Sequence, residues 1–378
     1  MTSREPITVL HARIVSGTGG GPEKTILNSP RHLVGTRYRA LAAYLHAPGD
    51  AGIEILRERA AARECPFTAL ADAWPIDIGT LRALAELCRR ENVRIWHGHD
   101  YKSNLYGILL AKLVDVRLVT TMHGWVKHTS RTPFYFAVDR WCLRRYEQVA
   151  AVSRDLFDAA LAAGVAPERV VQIDNAIDTR EFVRRAPANT SALRRAHPER
   201  LVIGAVGRLS NEKGFDILIE AVERCLVHGL DLELWIAGEG DQQQHLEARM
   251  RASKYHDRLR LLGFQKDTLA LFEAFDVFAL SSLREGLPNV VLEAMAMDVP
   301  VVATRCGGLS AFGRDEQDML LVDVNSVAAL ERGIACLARD PELRTRLAHA
   351  ARARIERELS FTARMQKMVA LYDRLELT

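Results

Sequence analysis

The chain has 378 residues, with 48% hydrophobic and 26% charged residues and a formal net charge of +3. That length favours two domains over one core, and the composition is that of a globular, water-facing protein. So small a net charge gives little support to nucleic-acid binding, and no nucleic-acid partner is expected. The charge is unevenly spread: residues 1–185 hold 26 Lys and Arg against 20 Asp and Glu, a net of +6, and the remainder holds 25 against 28, a net of −3. A positive first half suits an anionic acceptor or membrane surface, or is ordinary surface variation.

The six cysteines, Cys65, Cys88, Cys142, Cys225, Cys306 and Cys336, form no C-x-x-C pair and read as small core hydrophobes in a reducing compartment. The sequence shows neither a basic start followed by an apolar run nor a stretch of ~20 apolar residues. A cytoplasmic protein is expected, with peripheral contact at the inner membrane surface still allowed.

The first predicted strand is Ile7–Ile14. A loop, Gly17 to Lys24 (GTGGGPEK), follows it, and a helix is predicted from about Pro22. The glycines let backbone approach a ligand, and the helix start points N–H groups back at it. Against the dinucleotide pattern G-x-G-x-x-G, the third glycine position holds Pro22, so the loop is either a ligand loop or a tight structural turn. Further strands are predicted at Val93–His97, Arg117–Thr121, Gln148–Val152 and Val170–Asp174. Helices are predicted between them at Gly79–Arg90, Ser103–Leu113, Pro133–Arg145 and Ser153–Ala163, with Ser153 as an N-cap. This alternation argues for a parallel sheet covered on both faces.

Two histidine clusters lie at strand ends. His123, followed by Gly124, is placed to donate to a substrate oxygen or a developing negative charge. His97, His99 and Asp100 share a neighbouring strand end. Their H-x-H spacing hints at metal, but no third ligand stands at a usual zinc spacing, so hydrogen bonding to substrate or loop is expected. Residues 131–145 mix aromatics and arginines at helical spacing. They suit either an anionic lipid surface or, as preferred here, a helix packing Phe134, Val138 and Trp141 inward.

Asp178 to Arg200 is polar, carries Pro187 and Pro198, and is read as the connection between domains. A second α/β series starts at Leu201–Val206 and continues with strands at Leu232–Ala237, Leu259–Leu262, Asp276–Leu280 and Val299–Ala303. Helical patterns at Ser326–Arg339, Pro341–Glu358 and Phe361–Leu377 end the chain. Two such halves imply a cleft, and in open parallel sheets ligands bind beyond the carboxyl ends of the strands.

Gly207 and Arg208 follow the first strand of the second half, and Lys213-Gly214 comes just before a helix. Two fixed cations there can neutralise a diphosphate, Arg bidentately and Lys as a point charge. The most informative stretch is Glu285 to Glu293 (EGLPNVVLE). Glu285 is placed in a strand-to-helix loop, Pro288 starts the helix, and Glu293 lies inside it. One loop thus offers N–H donors to an anion and carboxylates to sugar hydroxyls. No D-x-D pair occurs, so a leaving diphosphate would be neutralised by side chains and helix N-termini, and no metal is expected.

The series Gly207-Arg-Leu, Lys213-Gly, Ala237-Gly-Glu-Gly, Leu262-Gly-Phe and Ser281 to Ala296 resembles the retaining GT-B glycosyltransferases of family 4 (glycosyl transferases group 1), most densely over residues 201–303. The resemblance implies two Rossmann-like domains facing across a cleft: residues 1–185 on the acceptor side, residues 199–357 binding the donor, and a C-terminal helix, 358–378, crossing back to the N-terminal domain. It also implies roles. Arg208 and Lys213 would hold the donor diphosphate. Glu285 would contact the donor sugar near the reacting centre, with Gly286 and Leu287, and with Asn289 and Val290 beside them. Glu293 would accept from the ribose hydroxyls. Gly263, Phe264 and Gln265 would line the base, Gly207 and Gly238 would approach the nucleotide, and Gly20, Gly21 and His123 would approach sugar and phosphate from the other domain. Glu285, His123, Arg208 and Lys213 are the catalytic candidates.

The chain departs from the family after Cys306-Gly-Gly308, where a Pro-Glu pair is common and Ser310-Ala311 stands here, and again at Asp315 to Met319 in place of an Asp-Gly-x-x-Gly turn. The implied activity is retaining transfer of a hexose-type sugar from a nucleoside-diphosphate sugar to a saccharide or lipid-linked acceptor hydroxyl, in polysaccharide or glycolipid assembly, with no cofactor. A sugar-nucleotide epimerase and a non-catalytic nucleotide-sugar binding protein are the alternatives.

Overall fold

The computed structural model describes residues 5–17, 19–124, 132–194, 197–265 and 267–375. Arg131, which begins the aromatic–arginine stretch, and Leu377, the predicted end of the last helix, lie outside the described residues, as does Thr18 in the Gly-rich loop. The chain divides into two compact units, residues 1–175 with 364–378, and residues 176–363.

The first unit is a doubly wound parallel sheet. Its chain order is β1 (Ile7–Val15), α1 (Gly21–Leu33), β2 (Tyr38–His46), α2 (Gly52–Ala61), β3 (Phe67–Ala71), α3 (Ile78–Arg90), β4 (Val93–Gly98), α4 (Tyr101–Leu110), β5 (Arg117–Met122), α5 (Thr132–Leu143), β6 (Gln148–Ala151), α6 (Arg154–Ala162) and β7 (Val170–Gln172). The seven strands lie in the order β3-β2-β1-β4-β5-β6-β7. The chain winds one way from β1 to β3 and the other way from β4 onward, so its topological switch point is the gap between β1 and β4. The two strands that the sequence pattern does not reveal, β2 and β3, occupy this sheet's first-wound edge. Ser153 caps α6 as expected, accepting from the Leu156 N–H at 3.4 Å.

The second unit repeats the plan: β8 (Leu201–Val206), α7 (Phe215–Val227), β9 (Leu232–Ala237), α8 (Gln243–Arg251), β10 (Leu259–Leu261), α9 (Thr268–Glu273), β11 (Val277–Leu280), α10 (Asn289–Ala296), β12 (Val301–Thr304), α11 (Gly307–Phe312), β13 (Leu320–Val322), α12 (Val327–Arg339) and α13 (Pro341–Arg354). The helix α14 (Phe361–Asp373) ends the chain, and the division between units falls inside it. The six strands run β10-β9-β8-β11-β12-β13, with the switch point between β8 and β11. Val277, Phe278, Ala279 and Leu280 of β11 and the four residues of β12 are all buried, as strands covered by helices on both faces must be.

Three expectations change. The polar stretch from Asp178 is no free linker: Ile177 and Phe182 belong to the second unit's core, and buried Arg194 bonds Asp276 Oδ2 at 2.8 Å. Residues 176–185 therefore pack with the second unit. Trp141 does not turn inward. It is 43% exposed with the Arg145 guanidinium 3.8 Å from its ring centre, because Cys142, Leu143 and Tyr146 already fill that side of the core. Finally, Cys336 is exposed, whereas the other five cysteines are buried.

Candidate active site

In the second unit the switch point brings together the loops that follow β8 and β11. After Gly207 and Arg208 the chain makes a short turn, Asn211–Lys213, and enters α7 through Gly214, whose φ of 61° is left-handed. A Cβ at Gly214 would overlap the Ser281 carbonyl oxygen, so this close approach requires glycine. The Ser281 hydroxyl donates to the Lys213 carbonyl at 2.8 Å, and the Leu283 N–H donates to the Glu212 carbonyl at 2.7 Å. Two loops some 70 residues apart in sequence are thus stitched into one surface, with a sequence separation of 68 at the Ser281 bond.

This stitching delivers the central contact. Lys213 Nζ donates to Glu285 Oε1, which also accepts from the Ser282 hydroxyl at 3.1 Å. The two side chains are 19% and 15% exposed, so the pair is sheltered but reachable. The Glu285 carbonyl accepts from the Gly308 N–H at 3.2 Å, which fixes the backbone of the loop. Pro288 caps α10, Asn289 and Val290 begin it half-buried, and Glu293 is 2% exposed within it. Gly286 is exposed and Leu287 half-buried. Arg208 is exposed and its side chain makes no hydrogen bond or ion pair, so among the described residues it is an unspent cation at the end of β8.

Backbone closes the other side. The Gly207 N–H donates to the Ala237 carbonyl at 3.0 Å, and the Gly238 N–H to the Gly263 carbonyl at 2.9 Å. A Cβ at Gly238 would overlap the Gly207 carbonyl oxygen. Phe264 leaves its ring 65% exposed, and Gln265 Nε2 donates to the Leu262 carbonyl at 2.7 Å. The second departure from the family pattern, Asp315 to Met319, is held by a buried ion pair. Asp318 is buried against Arg354 (2.6 Å) and accepts from the Arg314 N–H at 3.0 Å, which anchors the turn before β13 to α13.

In the first unit the Gly-rich loop lies at the β1–β4 switch point. Buried Glu23 reaches back to accept from the Gly20 N–H and from Arg13 Nε. The Gly20 N–H is therefore satisfied internally by Glu23, the return half of a capping box whose other half needs a side chain that glycine lacks, and α1 starts at Gly21. Arg13 also donates to the His99 carbonyl at 3.3 Å, which ties the loop to the histidines.

His123 stands half-buried at the end of β5, with its Nε2 at 2.9 Å from His99 Nδ1. The hydrogen bonds of His97 and His99, expected to go to substrate or to the loop, run to neighbouring protein groups. Both are buried: His97 sits between the Tyr372 hydroxyl at 2.8 Å and the Thr121 hydroxyl at 2.7 Å. Asp100 caps α4 through the N–H groups of Lys102 and Ser103 and accepts from the Ile14 N–H at 2.8 Å. Sequence reading missed His11, whose place on the adjacent strand, in register with His97, brings it into the cluster.

Burial pushes His97, His99 and His123 well below the ordinary histidine range, and burial followed by the Arg364 charge brings His11 to about 3. All four are neutral at pH 7. Nitrogens of His11, His97 and His99 lie within 4.8 Å of one another. Five of their six ring nitrogens are already hydrogen-bonded, and Arg364 adds positive charge beside them, so the cluster fits an imidazole network rather than a cation cage.

Residues 19–181 match the family described as Glycosyltransferase Family 4, and residues 200–340 match Glycosyl transferases group 1. Glycogen synthase of Mycobacterium tuberculosis is 30% identical over 333 residues, 82% of this chain and 78% of the relative. The chain belongs to the group 1, family 4 glycosyltransferases. The lipopolysaccharide core biosynthesis glycosyltransferase LpsE of Rhizobium meliloti is 39% identical over 147 residues, 39% of this chain but only 42% of that relative. Among solved structures, Anabaena HepE in complex with UDP superposes with a TM-score of 0.82 at 21% identity, covering 97% of this chain and 100% of that one. The two doubly wound units of this glycosyltransferase are therefore those of the GT-B fold. Among the described residues no helix is long and apolar enough to cross a membrane.

Proposed function

We propose that this family 4 enzyme moves a hexose-type sugar from a nucleoside-diphosphate sugar to an acceptor hydroxyl with retention at the anomeric carbon, and without a metal ion. The observation that carries this reading is the Lys213–Glu285 pair stitched across the β8–β11 switch point, with unspent Arg208 beside it. Lys213 and Arg208 suit the diphosphate. Glu285 suits the donor sugar near the reacting centre, and Glu293 the ribose. Phe264, exposed at the end of β10, offers its ring to the base, and Gly263 leaves room there. His123 and Gly21 of the first unit take the sugar and phosphate.

Charge-assisted hydrogen bonds contribute roughly 1.5–3 kcal/mol each, so two cations supply a sizeable part of leaving-group stabilisation. No side chain stands out as a covalent nucleophile. The mechanism proposed is front-side displacement: the bond from C1 to the β-phosphate oxygen breaks, that oxygen takes the acceptor's proton, and the acceptor oxygen bonds C1 on the face being vacated. The LpsE and glycogen synthase likenesses support a role in polysaccharide or glycolipid assembly with a saccharide or lipid-linked acceptor, and HepE supports a uridine nucleotide among the donors to try first.

The test is a thermal-shift screen with nucleoside diphosphates and their sugars. A selective ligand at 100 times its Kd adds about 2.7 kcal/mol of stability. A product assay with the best donor should release nucleotide only when acceptor or water takes the sugar. Epimerised donor with no nucleotide released would select the epimerase alternative, and tight binding with neither transfer nor hydrolysis would select the binding protein.

A further inference from the structure

The first unit holds a hydrogen-bonded chain of three imidazoles. His11 Nδ1 lies 2.9 Å from His99 Nε2, and His99 Nδ1 lies 2.9 Å from His123 Nε2. Each neutral ring carries one N–H and one lone pair. A chain of this kind has only two arrangements, because fixing one proton fixes the rest. In one, His123 donates inward from Nε2, His99 donates to His11, and His11 is left with a proton on Nε2. In the other, His11 donates from Nδ1 to His99, His99 donates from Nδ1 to His123, and His123 carries its proton on Nδ1, pointing away from the chain.

His11 Nε2 decides between them. It is buried and has no hydrogen-bond partner. It also feels the positive charge of Arg364, itself buried, with Nε and Nη2 likewise unpartnered. The first arrangement strands an unpartnered N–H donor there, under the influence of a positive charge. The second leaves a lone pair, which a positive charge favours. A buried donor with no acceptor is the rarer and more destabilising defect.

We propose that His11 and His99 are positioning residues that fix the tautomer of His123, so that His123 presents a neutral Nδ1–H donor to an acceptor oxygen of the sugar nucleotide and is barred from acting as a general base. The inference rests on the reading of His123 as a donor-sugar contact, and it deepens that reading. A ring whose Nε2 lone pair is already used by His99, and whose Nδ1 already holds a proton, has no site for the proton of an acceptor hydroxyl. Proton removal then falls to the leaving phosphate.

Ring nitrogen NMR on the full chain labelled with 15N-histidine tests this, with assignments from single substitutions. In the wild type His11, His99 and His123 are expected to be protonated on Nδ1. His99→Gln places an amide near the Nε2 position and leaves the Nδ1 position empty. It should release His123 to the other tautomer or to a mixture, and lower kcat/KM for the donor by up to about tenfold, the worth of one neutral hydrogen bond. His99→Asn places its amide near the Nδ1 position but loses the contact to His11, so it should restore a hydrogen bond to His123 while leaving both His123 tautomers populated. A single Nδ1-protonated His123 in His99→Asn would show that His11 does not set the tautomer. A wild-type His123 protonated on Nε2, or an unchanged His123 tautomer in His99→Gln, overturns the relay. If the tautomers are as expected but His123→Ala keeps wild-type kcat/KM, the relay stands and the sugar-contact reading of His123 falls.

Discussion

The two units wind the same way, yet they furnish their switch points with opposite chemistry. At and beside β1–β4 the first unit gathers four neutral imidazoles, with His11, His97 and His99 buried and His123 half-buried, and a glycine loop whose amide is already capped by Glu23. At β8–β11 the second unit gathers ionised groups: Lys213 against Glu285, with Arg208 exposed alongside. One site offers dipoles, the other charge. A dipolar site binds hydroxyl and phosphoryl oxygens with direction and little salt dependence, and an ionic site binds a diphosphate by charge. In the proposed function, the same fold divides substrate recognition by the polarity of the residues set at its strand ends.

The sharpest way to break this comparison is acid. A histidine whose folded pKa lies below its ordinary 6.5 contributes stability that is fully present above pH 6.5 and lost as pH falls below it, because the unfolded chain binds the proton first. Each such histidine removes about 1.4 kcal/mol per pH unit, so His11, His97, His99 and His123 together threaten the first unit near pH 5. The second unit's lowered carboxylates, Glu223 beside Arg249 and Glu358 beside Arg357, hold their contribution until pH falls below 4.5. Hydrogen exchange followed from pH 7 to pH 5 should therefore show the first unit opening before the second. Simultaneous opening would mean that the histidines are not held neutral.

The next largest effect is in the second unit. Arg354 and Asp318 are 9% and 3% exposed, and removing one partner of a buried pair destabilises by about 3–5 kcal/mol. Arg354→Met should lose that much in urea unfolding. Asp318→Asn/Arg354→Met, which keeps an acceptor for the Arg314 N–H, should recover most of it. No recovery would show that the guanidinium acts by packing on Phe312, 4.1 Å away, rather than by charge.

How much of this was legible in the sequence depends on whether the signal is local. The Lys213-Gly214 and Glu285-to-Glu293 signatures are each local in sequence, and the α10 helix forms where the sequence implies, with Pro288 at its N-cap, one position before the first turn that the sequence predicts for it. The strands β2 and β3 escape notice because Tyr38–His46 is rich in alanine and Phe67–Ala71 is short. The histidine network is invisible for a different reason. His11 reaches His97 only through parallel register between strands more than eighty residues apart, and H-x-H alone says nothing of a partner on the next strand. Trp141 misleads because an aromatic at helical spacing looks inward until neighbouring side chains fill the core first.

Catalysis should respond to the ionic site by a factor. Lys213→Ala leaves Glu285 without its cation and the leaving diphosphate short of one charge. Removing a donor that stabilises developing charge lowers kcat by about 10²–10³. Circular dichroism and the melting temperature check that the fold survives. Arg208→Ala, exposed and unpaired, should fall by less, with its effect weakening at high salt. Wild-type turnover in both single variants would remove the phosphate assignment and, with it, the contrast between a charged and a dipolar site.

The smallest effect separates strain from stitching. Gly214 and Gly229 both have left-handed φ, 61° and 78°. Nothing lies within 4 Å of a Cβ at Gly229, whereas at Gly214 it would overlap the Ser281 carbonyl oxygen. Alanine at either position meets backbone strain of about 1–2 kcal/mol. Only at position 214 must the two loops also part, drawing Lys213 away from Glu285. Gly229→Ala should therefore lose stability while keeping its kinetic constants, and Gly214→Ala should lose at least as much stability and raise the donor KM as well. Equal donor KM values in the two variants would mean that the loops hold their positions without this contact, and that the Lys213–Glu285 pair is set by the ends of β8 and β11 alone.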